Sequence, residues 1–235
     1  MSVFTHNPVR TDLPDEAAAD TPSTGRGWAV AGLVAGLSGM ATVVASGLVD
    51  SVYREDLQAR PEGLVAALAE KVPVILVFHT AGLLAAVTLL VFGAGLHRRL
   101  TARGRSGLGP VLAVGGLAAT AAVLVVATGL DTEYVFAFGE PGLVTTAEAA
   151  AYNHWIGTVP WCWVLTGVAG LAVRAAARAG AVPRWLGWTG LLGGGLTLLV
   201  GISPLQYLAG LVAPVWILVL ALGFLVGDRA FRSGR

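Results

Sequence analysis

The chain alternates long apolar runs with short polar breaks, and the runs are too long for a soluble core. Six of them cover Gly27–Val49, Val72–Gly95, Pro110–Gly129, Trp155–Val173, Trp185–Ile202 and Tyr207–Val226. A helix rising 1.5 Å per residue needs about 20 apolar residues to cross the hydrocarbon layer, so each run reads as one transmembrane helix. The division between the fifth and sixth rests on "SPLQY" at 203–207, where Ser, Pro and Gln favour a turn. Residues 1–26 are acidic and rich in Pro, Thr and Ala, as in "TDLPDEAAADTPSTGR". They lack the basic start and apolar centre of a signal peptide and read as a disordered tail. The expected architecture is an all-α integral membrane protein: a six-helix bundle over 27–228, with a short basic tail at 229–235.

The basic residues orient the bundle. Arg98, Arg99, Arg103 and Arg105 lie in the second loop, Arg174, Arg178 and Arg184 in the fourth, and Arg229, Arg232 and Arg235 at the end. Six spans put all three segments on one side, which the positive-inside rule makes cytoplasmic. The third loop, 131–154, holds no Lys or Arg but carries Asp131, Glu133, Glu140 and Glu148. Within it "TTAE" at 145–148 fits a capping box and predicts a helix from Thr146. In the first loop Pro61 opens "RPEGLVAALAEK", whose Leu64, Val65 and Leu68 are expected along the membrane interface.

Composition agrees: 55% of residues are hydrophobic and only 12% charged, too few to cover a soluble surface. The net charge of +1 offers no electrostatic argument for nucleic acid. A single cysteine, Cys162, rules out an internal disulfide framework and any CxxC motif. The predominance of Arg over Lys, with much Ala, Gly and Val, matches a high-GC bacterial genome.

Several polar groups fall at membrane depth. His79, in "VILVFHTAGLL", lies about two turns, or roughly 10 Å, inside the second span. Ionisable groups there usually face the bundle or a cavity. It reads either as a neutral histidine bonded to a neighbouring helix or as a proton-relay, metal, haem or substrate contact. Asp50, Asp131, Glu133, Asn153 and His154 cluster by topology at the same end, as one shared pocket or as solvated loop-end residues. His79 with Asp131 or Glu133 is the candidate acid–base set; His79, His154, Trp155 and Asp50 are candidate ligand contacts. No HExxH or paired-histidine spacing points to a metal, and nothing else in the sequence implies a cofactor. Ser38, Thr42, Ser46 and Asp50 recur every fourth residue along one helix face, as a polar track or a packing surface. Gly190 and Gly194 stand in a GxxxG relation, without the strand or lysine of a phosphate loop, and read as helix packing.

The stretch "YNHWIGTVPWCW" at 152–163 sits where span four meets the outer interface. Trp155, Trp161 and Trp163 fit interfacial or upper-span aromatics. Pro160 removes a backbone donor and leaves the carbonyl of Ile156 without its helical partner. Arg184 beside Trp185 and near Trp188 is an interface-anchor pattern.

The Val182-Pro183-Arg184-Trp185-Leu186 entry to span five and the acidic loop before span four resemble the small bacterial membrane proteins grouped as domain of unknown function 4386. The resemblance covers the chain from about residue 28. It implies a six-span fold and supplies no catalytic residues to carry over, because the activity of that family is uncharacterised. Cytochrome b561-type haem proteins are similar in span number but use paired histidines, and only His79 and His154 suit one such pair.

The sequence therefore supports first a non-enzymatic bundle in a lipid bilayer that binds a lipid or hydrophobic small molecule, or serves as an interaction partner. Second is an enzyme with an outward pocket, using Asp131 or Glu133 with His79 on a lipid or terpenoid between tryptophan walls. Transport is third, without an internal repeat to support it.

Overall fold

The computed structural model describes residues 25–59, 61–102 and 107–228. The acidic tail up to residue 24, Arg103, Arg105 and the basic tail at 229–235 lie outside them. Among the described residues there are eleven α-helices and no strand: α1 (Gly27–Val49), α2 (Glu55–Ala59), α3 (Leu64–Ala69), α4 (Val72–Thr101), α5 (Leu108–Ala127), α6 (Asp131–Ala137), α7 (Thr146–Thr158), α8 (Thr166–Arg178), α9 (Arg184–Thr189), α10 (Gly195–Ile202) and α11 (Ala209–Leu222). They compose six helices long and apolar enough to cross a membrane. The third span is α5 with α6, the fourth α7 with α8, the fifth α9 with α10, and the sixth is built on α11.

Each span packs on the next, and the sixth returns to the first, because α1 lies against both α4 and α11. Side chains on α1 are small where it meets its neighbours. A Cβ at Gly36 would sit 2.9 Å from the Pro214 carbonyl, and one at Gly39 would collide with the indole of Trp163. In a bilayer, where burying apolar surface adds little drive, such close backbone approach supplies the packing. The predicted GxxxG pair works this way. Gly190 and Gly194 press on Gly170 and Gly167 of α8, and a Cβ at Gly167 would meet the Gly194 carbonyl at 2.6 Å. The helix widens to a π-turn over Gly190–Gly194 at this contact.

Span four breaks where Pro160 predicted. A 3₁₀ segment, Trp161–Leu165, joins α7 to α8. The carbonyl of Ile156, without its usual donor four residues on, accepts from the Val159 N–H at 3.2 Å and from the Ser46 hydroxyl at 2.9 Å. Ser46 thus joins span one to span four, whereas Ser38 and Thr42 donate to carbonyls of their own helix. Ser38, Thr42 and Ser46 are buried and form a packing surface, whereas Asp50 at the end of the track is exposed. The break also turns Trp163 inward: it is fully buried between spans one, four and six, not interfacial. Trp155 and Trp161 remain partly exposed, as an interfacial aromatic would.

Two other expectations change. Leu64 and Leu68 do not lie along the interface; they are buried, because α3 folds back against α7 and uses them as core. Arg99 is more than a topology signal. It bonds both oxygens of the buried Asp228, at 2.6 and 2.8 Å, and donates to the Ala181 carbonyl at 2.9 Å. One guanidinium thereby ties span two, the fourth loop and the end of span six at the arginine-rich face.

Candidate functional site

At the opposite end, His79 projects from the second turn of α4 toward the top of span three. There α5 ends, and a tight turn at 128–130 restarts the chain as α6. Asp131 is the first residue of that helix, not a loop-end residue. The turn points its carboxylate into the bundle, where it is 0% exposed. His79 Nδ1 lies 3.2 Å from Asp131 Oδ2 and 3.3 Å from the Thr128 carbonyl. A carbonyl only accepts, so the network assigns the proton to Nδ1 and leaves Nε2 as the other functional nitrogen. The other carboxylate oxygen accepts from the Tyr152 hydroxyl at 2.9 Å. Donors on both oxygens suit the ionised carboxylate.

Aromatic packing holds the array. The rings of Tyr134 and Tyr152 stack at 4.2 Å, and Phe138 leans on Tyr152 at 6.0 Å. Trp155 Nε1 donates to the Ala127 carbonyl at 2.7 Å, which fastens α7 to the end of α5. The predicted capping box forms: Glu148 N–H donates to Thr145 Oγ1, and Glu148 Oε2 accepts from Thr145 N–H. It fixes the start of α7 and so the height of Tyr152.

The remaining candidates separate from this array. Glu133 is exposed on α6 and takes no part in it. Tyr152, Asn153 and His154 follow one another on α7 but reach three different places, since helical residues turn about 100° each. Asn153 is buried, and its Oδ1 accepts from the backbone N–H of Ser51 and Val52 at 2.9 and 3.0 Å. It thereby caps the chain as it leaves α1. His154 is exposed and meets the Tyr53 ring edge-on at 5.9 Å. With Asp50, Tyr53, Asn153, Gly157 and Tyr207 it lines a cavity of about 210 Å³. His79 does not line that cavity, so the two histidines do not share it. Farther out, the Arg54 guanidinium grips the exposed Asp56 and holds its carboxyl below the usual carboxylate range.

A larger groove, about 620 Å³, runs between α1 and α4 on the bilayer-facing surface. Its lining is apolar apart from Ser38 and Thr80. The Ser38 hydroxyl donates to the Val34 carbonyl at 2.6 Å. Thr80 makes no hydrogen bond to any described residue. This sets it apart: Thr42, Thr88, Thr120, Thr158 and Thr189 each donate to the carbonyl four residues back. His79 leaves α4 toward α5 and does not line this groove.

Sequence reasoning missed Tyr152 as the second donor to Asp131, Thr128 as the carbonyl that sets the tautomer, and Thr80 as the unbonded hydroxyl. Tyr152 lay inside a stretch read mainly for its tryptophans; a tyrosine three residues ahead of a span, as a polar aromatic group at its entry, was the available signal. No family model, curated protein or solved structure matches this chain.

Proposed function

We propose that this multi-pass membrane protein resides in the bacterial inner membrane, arginine-rich face toward the cytoplasm, and binds a lipid or hydrophobic small molecule in the groove between α1 and α4. The observation that carries the reading is the unbonded Thr80 hydroxyl in a groove of about 620 Å³ whose one other polar lining residue among those described, Ser38, is bonded within its own helix. Ligand sites commonly fall within about 300–1,000 Å³ and combine apolar walls with few polar groups. A hydroxyl without a partner in an apolar protein environment is unfavourable by about 1–3 kcal/mol, and a ligand carbonyl or hydroxyl would relieve it. The resemblance to the domain of unknown function 4386 belongs to the same proposal and rests on Val182–Leu186 and the acidic outer loop.

Mass spectrometry of lipids carried through purification tests this reading. Wild type should retain a defined species. Ala41→Phe, which fills the groove, should lose it, and Thr80→Val should weaken or change it. Identical lipid content in all three overturns the reading.

A second reading, acid–base catalysis on a lipid or terpenoid, draws support from the fixed histidine tautomer. A carboxylate on Nδ1–H leaves Nε2 to take a proton, as a general base requires, and the His79 side chain keeps 24% exposure. Diethyl pyrocarbonate should then modify His79 in the native protein. His79 inert under conditions that modify His154 removes this reading.

A further inference from the structure

We infer that the cavity lined by Asp50, Tyr53, His154 and Tyr207 is a binding site for an organic ammonium group. Three features point to a cation. Asp50 caps the C-terminus of α1, where the helix dipole adds partial negative charge to its own carboxylate. Among the described residues no Lys or Arg lines the cavity. The neighbouring Arg54 is engaged by a two-toothed bond to Asp56, at 2.8 and 3.2 Å, and does not line the cavity.

The walls favour an organic cation over a metal ion. Two phenol rings and an imidazole border the carboxylate, and aromatic faces attract ammonium groups. Among the described residues no three of His, Cys, Asp and Glu gather in a metal-binding group. Asn153 cannot serve as a strong acceptor, because its Oδ1 already takes two backbone N–H groups. It instead points its amide at Asp50 Oδ1, 3.5 Å away, and steadies that carboxylate. A volume of about 210 Å³ lies below that of most drug-sized sites and suits a headgroup. The cavity stands at the acidic end of the bundle, where an ammonium can come from a phospholipid headgroup or from a free amine in solution.

Full-length protein in phosphatidylglycerol nanodiscs, titrated with choline and with ethanolamine, tests the site by calorimetry. Saturable binding of at least one is expected, weakened about tenfold by Asp50→Asn and by Tyr207→Leu, and unchanged by Glu140→Gln, which removes an exposed carboxylate at the same end of the bundle that does not line the cavity. Nanodiscs that also contain phosphatidylethanolamine identify the source. Loss of the free-amine signal there assigns the site to lipid headgroups, and its persistence assigns it to soluble amines; either supports an ammonium site. Equal binding of 3,3-dimethyl-1-butanol, the neutral isostere of choline, would show that charge is not read and overturn the inference. So would the absence of saturable amine binding together with equal phosphatidylethanolamine retention by wild type and Asp50→Asn.

Discussion

Removing one hydroxyl from the array around Asp131 gives a measurable test of its physics. Tyr152→Phe keeps the ring that stacks on Tyr134 and deletes only the 2.9 Å bond to Oδ1. In soluble proteins a hydrogen bond to a charged partner contributes about 1.5–3 kcal/mol. Interhelical bonds in membranes average about 0.6 kcal/mol and reach about 1.7 kcal/mol, because the separated helices find other partners. The carboxylate also keeps His79 as a second donor. The expected loss is therefore about 1–2 kcal/mol, toward the upper membrane range, since Asp131 is buried and both its oxygens are engaged. Asp131→Asn should be at least as damaging: an amide has one acceptor oxygen, and Tyr152 and His79 approach different oxygens. With Tyr152→Phe already present, the amide oxygen can turn to His79, so the second change should cost less. A double-mutant cycle should give a coupling of about 0.5 kcal/mol or more. Reversible unfolding by SDS titration in mixed micelles reads all four proteins. Additive losses, or a Tyr152→Phe change near zero, would refute the array as a coupled unit.

Two further predictions concern the scaffold. Gly170→Leu drives a side chain into the Gly190 carbonyl and Gly194 backbone and should lower stability by about 1–3 kcal/mol or abolish folding, whereas Gly195→Leu, with open space at its Cβ, should be tolerated; equal thermal midpoints would discredit the seam. Cysteine reporters at Gly107 and Gly142 should label from opposite sides of the membrane, and same-side labelling would refute six spans.

Much of this protein is set by its sequence because a bilayer tolerates few backbones. Unsatisfied peptide groups are too unfavourable in hydrocarbon, so twenty apolar residues must become a helix, and span count and turn positions follow from hydropathy. Gly27–Val49 and the turn at Ser203 agree with the pattern for that reason. Local chemistry was equally legible: the Thr145–Glu148 capping box and the Pro160 break need only neighbouring residues. His79 and Asp131 were legible as unusual, but not as partners, and Glu133 was indistinguishable from Asp131 at two residues' distance. Only the turn at 128–130 decides between them, by sending one carboxylate inward and the next outward. Likewise the ring of helices decides that Ser46 meets the carbonyl Pro160 sets free, that Asp228 receives Arg99, and that Trp163 fills the centre while Trp155 and Trp161 stay near the surface. Hydropathy reports which residues enter the membrane. Which face of each helix meets which neighbour depends on side-chain shape and glycine contacts between distant segments, and these exist only once the bundle closes.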